Sequence, residues 1–242
     1  MGKTTLQIRN LSVRMVPMTD KKELSKEVST LLDAGAHYGF SRTRRHPSVK
    51  GFILATKNKN DIIDIEKTES QIKEAQAFIS DLKNKGKVIL VVGTKPEVRT
   101  AVEKFASANN FPSVTNRWIG GMLTNWGEVK VRLQKLDDLM KKKEKGELEK
   151  FIKKERLKME KEMESMHKDW SGLLGITKTP DAVIVVDSKK EDVAVTEANK
   201  MRIPVIAILN TDCDMTKVNF PILANDSSIR TVEHVLNALV QD

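Results

Sequence analysis

Residues 37–59, HYGFSRTRRHPSVKGFILATKNK, hold the densest set of chemically useful side chains in the sequence. Arg42, Arg44 and Arg45 stand almost side by side, and His46, Lys50, Lys57 and Lys59 follow. Tyr38 and Phe40 precede them, Asn58 sits among the lysines, and no acid lies between Asp33 and Asp61. Guanidinium forks match phosphate oxygens two at a time. Aromatic rings stack on exposed bases, and hydroxyls and amides reach ribose 2′-hydroxyls. The segment therefore reads as a nucleic-acid contact. The plain alternative is a solvated loop, and a run of arginines without counter-charge argues against it.

A second group is acidic. Asp187 follows one apolar run, and Asp212 and Asp214 follow the next. The carboxyl ends of strands in an open α/β sheet form the ligand crevice of that architecture. Three carboxylates there can hold a divalent metal through oxygen, or Asp187 can accept a phosphoryl group. Asn210 adds a neutral ligand at the same end. Aspartates after strands also cap turns and helices, and that is the preferred reading. A third group is VVGTKPEV, where Gly93 and Lys95 invite comparison with a phosphate cradle. A P-loop needs a second glycine, and Pro96 removes an N–H that a cradle would use. The dinucleotide fingerprint is also absent. No cofactor and no metal are expected. The four histidines, His37, His46, His167 and His234, lack metal-site spacing. His37 and His46 are expected to pack or hydrogen-bond at the polyanion surface.

The charge distribution agrees with the basic segment. The chain carries a net charge of +9, and the basic excess lies in residues 1–60, while residues 170–242 are mildly acidic. This asymmetry suits a one-sided polyanion contact. Cys213 is the sole cysteine, which excludes an intrachain disulfide and a cysteine zinc site and fits a reducing compartment. No apolar run is long enough to span a bilayer, and MGKTTLQIR has no signal core.

These residues need elements to position them. The runs KVILVVG (87–93), DAVIVVD (181–187) and PVIAILN (204–210) are continuous and apolar, as in strands buried on both faces. Shorter strands are expected at Phe52–Leu54, at Ile62–Ile65, near Ser113–Val114 and over 219–223. Helical spacing covers residues 21–33, 66–85, 96–108, 191–202 and the final segment from Ile229 to Leu239. Alternating strands and helices imply a parallel sheet covered on both faces. Residues 1–20 read as an extended arm. Residues 124–170 read as two charged helices broken near Gly146. Their narrow stripes are Val129, Leu133, Leu136 and Met140, then Ile152, Met159, Met163, Met166 and Trp170. That pattern predicts an antiparallel coiled-coil hairpin inserted into an α/β domain formed by 21–123 and 171–242.

NRWIGGMLTNW, residues 116–126, leads into the hairpin. Gly120 and Gly121 supply a bend, and Thr124 or Asn125 is placed to cap the first long helix. Trp118, Met122 and Trp126 are expected to pin the hairpin's root, with Arg117 left free toward a nucleic acid. Trp118 and Asn125 join the candidate nucleic-acid-contacting set.

Six stretches together resemble one family: LLDAGAHYGFSRTRRHP, NKNDIIDIEKT, NRWIGGMLTNW, PDAVIVVD, IPVIAILNTDCD and NDSSIRTV. In this order they resemble the bacterial small-subunit ribosomal protein S2 family, over nearly the whole chain from Leu24 to Val240. Phe40 departs from the family's common histidine, so stacking would replace a hydrogen bond to RNA. The resemblance implies a flavodoxin-like parallel sheet with an inserted coiled-coil hairpin. It implies binding to ribosomal RNA between the head and body of the small subunit, and no catalysis. It implies neighbouring ribosomal proteins as partners, with ribosomal protein S1 where a bacterium has it. It also implies a cytoplasmic, ribosome-bound protein that is neither a membrane protein nor a homo-oligomer. The alternative is a metal-binding or phosphoacceptor α/β signalling module using Asp187, Asp212 and Asp214, or in milder form an acidic edge that binds another protein.

Overall fold

The computed structural model describes residues 25–241. The expected arm 1–20, and the predicted start of the first helix with Leu24, lie outside the described residues. Helix α1 (Lys26–Asp33) is capped by Ser25, whose hydroxyl accepts from Val28 N at 3.2 Å. Strands β1 (Tyr38–Ser41), β2 (Ile53–Lys57) and β3 (Asn60–Ile63) form a small antiparallel sheet in the order β1-β3-β2. Helix α2 (Ile65–Asn84), strand β4 (Ile89–Val92), helix α3 (Arg99–Asn109) and strand β5 (Ser113–Val114) follow. Then come α4 (Trp126–Glu144) and α5 (Lys153–Trp170). Strand β6 (Ala182–Val186), α6 (Asp192–Lys200), β7 (Val205–Leu209), β8 (Phe220–Leu223) and α7 (Ile229–Ala238) complete the chain.

The main sheet is five-stranded and parallel, in the order β5-β4-β6-β7-β8. Counted along the chain within that sheet, this is the flavodoxin-like order, with its switch point between β4 and β6. Side chains alternate across each strand, and each face has its own core. Ile89, Val91, Ile184, Ile206 and Ile208 pack under α1, α2, α3 and α7. Leu90, Val92, Val183, Val185, Val205 and Ala207 pack under α4 and α6. This two-sided burial explains why the strand sequences are apolar throughout.

Several boundaries move for identifiable reasons. YGFS, which none of the expected strands or helices covers, is β1: it pairs with β3 from Tyr38 to Ser41, across a register shift. Helix α3 begins three residues later than predicted, because Val98 N and Arg99 N turn back onto Lys95 O. The two long helices are present between β5 and β6, and Lys135 forms an ion pair with Glu162 between them. Their apolar stripe differs in detail. Helix α4 buries Val129, Leu133, Leu136 and Leu139, with Met140 half-buried. Ile152 is not in the seam: it precedes α5 and is 67% exposed, while Leu148 in the connecting turn is buried. Gly146, in the left-handed region at φ 68°, redirects the chain there. At the root, Met122, Leu123, Trp170 and Leu173 join the core under β4 and β6.

Candidate nucleic-acid interface

The small sheet sits on the carboxyl end of β7, and Thr211 supplies two of the hydrogen bonds that fasten it there. Thr211 Oγ1 accepts from Phe40 N at 3.0 Å, and Thr211 O accepts from His46 N at 2.8 Å. Gly39 makes this approach feasible, since a Cβ there would meet Thr211 Cγ2 at 2.6 Å. Ser48 Oγ accepts from Met215 N at 3.1 Å, adding a second tie. The β2–β3 turn is made by Asn58 and Lys59, both with positive φ. Two left-handed residues in succession suit a tight hairpin whose twist matches its strands.

Within this module half-buried Arg45 forms an ion pair with buried Asp61. Asp61 is 0% exposed and accepts from Arg45 Nε at 2.6 Å and Thr56 Oγ1 at 2.9 Å. Arg45 Nη2 also donates to Thr56 Oγ1 at 3.0 Å. The Arg45 hydrogen bond holds the Asp61 carboxyl below its ordinary range, against the opposing effect of burial. Arg45, expected to pair with phosphate, is therefore engaged inside the protein. Its partner is an acid that the sequence places across a hairpin.

The remaining candidates divide by exposure. Tyr38, Arg42, Lys50, Lys57, Asn58 and Lys59 are exposed on the module. Arg44 is also exposed: its guanidinium lies 4.4 Å over the Phe40 ring and reaches Asp212 Oδ2 at 3.4 Å. His46 is half-buried, with Nδ1 2.8 Å from Ser48 Oγ and 3.9 Å from Asp214. Arg117, Trp118 and Asn125 belong to a separate loop, where Arg117 and Asn125 are exposed and Trp118 is half-buried.

That loop is organised by Glu197 of α6. The buried carboxylate accepts from Gly121 N at 2.7 Å, Leu123 N at 3.0 Å and Thr124 N at 3.2 Å. It also accepts from Trp118 Nε1 and Thr124 Oγ1, both at 3.2 Å. Burial pushes its pKa up, but the donated hydrogen bonds more than reverse the push. The expected helix cap is corrected by the same contacts. Thr124 turns to Glu197, and Asn125 stands at the N-cap without a side-chain hydrogen bond. Glu197 went unrecognised in the sequence. The signal is an acid beside Ala194, Val195 and Ala198 on the buried side of α6.

The strand-end aspartates separate onto different partners. Asp187 lies 3.4 Å from Lys95 Nζ and accepts from Lys190 N at 3.1 Å. Asp212 meets Arg44 and Lys189, and Asp214 caps Thr216 N at 3.0 Å. Among the described residues, no group of three or more His, Cys, Asp or Glu is placed to hold a metal ion. Lys95 fills the crevice at the switch point. Its Nζ is 3.2 Å from buried Asp226 Oδ2 and 3.0 Å from Ser227 Oγ. Asn210, expected to face the crevice as a ligand, is buried and donates to Asp226 Oδ1 at 2.9 Å. Burial works to lower the Lys95 pKa, but Asp226 and Asp187 outweigh it and the net shift is upward. An internal ammonium thus lies where this fold commonly takes its ligand. Cys213 is buried beside Asp187 and Asp212, and burial leads the shift of its thiol up to about 11, far from a reactive thiolate.

A family model described as Ribosomal protein S2 matches residues 31–241. The chain belongs to the ribosomal protein S2 family. Three relatives carry the name small ribosomal subunit protein uS2. That of Coprothermobacter proteolyticus is 38% identical over 86% of this chain and 78% of its own length. That of Dictyoglomus thermophilum is 38% identical over 86% and 85%, respectively. That of Leifsonia xyli subsp. xyli is 40% identical over 88% and 71%. The family is structural and non-enzymatic. Both the basic module and the tryptophan loop of this S2 family member lie within the matched residues. No described helix is long and apolar enough to cross a membrane.

Asp61 keeps its charge to lower pH in the folded protein than in the unfolded chain, where an aspartate titrates near 3.9. Its stabilisation is therefore full above that value and is lost as pH falls below it. Asp61→Asn leaves the partly exposed Arg45 without its partner and is expected to lower stability at neutral pH by about 1.5–3 kcal/mol, the worth of a hydrogen bond to a charged group. It should also flatten the loss below pH about 4. Urea denaturation across pH measures both effects. Glu197→Gln places an amide donor against backbone N–H groups. It should remove at least about 3 kcal/mol, the worth of one or two hydrogen bonds to a charged acceptor, and alter tryptophan fluorescence before global unfolding. A loss below about 1 kcal/mol would mean that packing alone holds the loop.

Proposed function

We propose that this protein is a structural constituent of the small ribosomal subunit that binds ribosomal RNA between head and body. The observation that carries the reading is the basic module. It presents Arg42, Arg44, Lys50, Lys57 and Lys59 on a fixed scaffold, while its own acid, Asp61, is buried against Arg45. The exposed cations therefore keep a net field for polyanions, which makes association strong and salt-dependent. Tyr38 offers an exposed ring for stacking, Phe40 underlies the Arg44 guanidinium, and the lysine-tipped β2–β3 hairpin offers a narrow projection toward a groove. Arg117, beside the loop fixed by Glu197, supplies a second RNA contact, with Trp118 and Asn125 next to it.

The helices α4 and α5 act in this reading as a coiled-coil hairpin projecting from the RNA-binding domain. Their charged faces meet RNA or neighbouring ribosomal proteins, ribosomal protein S1 among them where the organism has it. The protein works in the cytoplasm, bound to the ribosome, as one copy per subunit. The metal or phosphoacceptor alternative finds no support in the geometry, because Lys95, Arg44, Lys189 and Thr216 already engage the carboxylates it would need.

Arg45 is unsuitable for testing RNA contact, because its loss would strand Asp61 in the module. Arg42→Glu combined with Lys57→Glu tests it at exposed positions. The variant should fold, as judged by circular dichroism, yet fall at least about tenfold in co-sedimentation with small subunits at high salt, as for loss and reversal of several phosphate contacts. Wild-type co-sedimentation by the folded variant would contradict the assignment.

A further inference from the structure

Arg44 and Lys189 converge on a single oxygen. Arg44 Nη2 lies 3.4 Å from Asp212 Oδ2, and Lys189 Nζ donates to the same Oδ2 at 2.9 Å. The carboxylate side chain is only 5% exposed, whereas Arg44 is 56% and Lys189 57% exposed. One nearly buried negative charge thus holds two exposed positive ones, leaving a local excess of one. Each cation uses few of its donors here: a guanidinium carries five N–H groups and an ammonium three. The Phe40 ring lies under the Arg44 guanidinium at 4.4 Å. A stacked, planar fork is pre-organised and loses less freedom when it takes an anion. The two cations come from different parts of the fold. Arg44 follows β1 in the basic module, while Lys189 lies between β6 and α6 on the main sheet.

We propose that Arg44 and Lys189, held together on Asp212 and steadied by Phe40, form a two-cation clamp for one phosphodiester of the bound RNA. This inference rests on the RNA-binding reading and adds to it a site that spans both sheets. Asp212 is a positioning residue in it: it sets the separation of the cations from below, and the phosphate oxygens meet them from the solvent side. Lys189 thereby enters the interface, although the acidic character of its own third of the sequence gives no hint of it.

The test is a salt series. Binding to small-subunit ribosomal RNA transcribed in vitro is measured for the wild type, Arg44→Gln, Lys189→Gln, the double variant, Lys189→Arg and Lys200→Gln. Each neutralised phosphate contributes about 0.7 to 0.9 to the magnitude of the log–log slope. Arg44→Gln and Lys189→Gln should each lower the slope by roughly one such contribution. The double variant should lower it no further, because both cations share one phosphate. Lys189→Arg should keep the wild-type slope, as should Lys200→Gln, which removes an exposed charge at the far end of α6. A wild-type slope for Lys189→Gln, or additive losses in the double variant, would overturn the clamp. A flat wild-type slope would overturn the RNA-binding reading itself. Matching thermal transitions for Lys189→Arg and Lys189→Gln separate charge loss from misfolding.

Discussion

Asp61 is removed from water on a strand four residues long, and Arg45 and Thr56 supply what water no longer does. The exposed basic face depends on this arrangement. Three short strands have little core of their own and are marginal as an independent sheet. The ion pair crosses from the β1 side of the module to β3, and Thr56 brings in β2. A buried pair is weak support when compared with an apolar substitute, but strong support against loss of either partner. The geometry also withdraws the module's only acid from the surface. The same contact thus shapes the scaffold and leaves Arg42, Lys50, Lys57 and Lys59 without a competing acid from the module itself.

The main sheet contributes a platform. Its switch point between β4 and β6, where this fold commonly takes small ligands, is occupied by Lys95 between Asp187 and Asp226. The adjacent end of β7 is covered by the basic module through Thr211. The edge that commonly takes ligands in this fold thus serves here as the mounting for the module from which RNA contact is proposed. At the opposite flank, Glu197 gathers the N–H groups of a glycine-containing loop and fixes the entry to α4. Two buried carboxylates, Asp61 and Glu197, therefore position the two segments from which RNA contacts are proposed. Neither needs to touch RNA.

Much of this was legible in the sequence where local rules dominate. The runs 87–93, 181–187 and 204–210 are apolar at every strand position because both faces are covered. The helices showed through their spacing. Arg42, Lys50, Lys57 and Lys59 are exposed, as a run of cations without local acids suggests. Long-range pairing was not legible. YGFS has no alternating pattern, and its strand state depends on β3 and on the close approach of Gly39 to Thr211. Arg45 looked like its neighbours because Asp61 joins it only when the hairpin folds back. Lys189 gave no signal because Asp212, which brings it to Arg44, lies on a different loop. The heptad count placed Ile152 in the seam, but Gly146 and the turn after it reset the register and buried Leu148 instead.

The basic module and the β6–α6 loop are proposed to face RNA together in the assembled subunit. Lysine acetylation followed by mass spectrometry reads that surface directly, on the free protein and on intact small subunits. Lys50, Lys57, Lys59 and Lys189 are expected to react in the free protein and to be protected in the subunit. Equal reactivity of these four lysines in both states would contradict it.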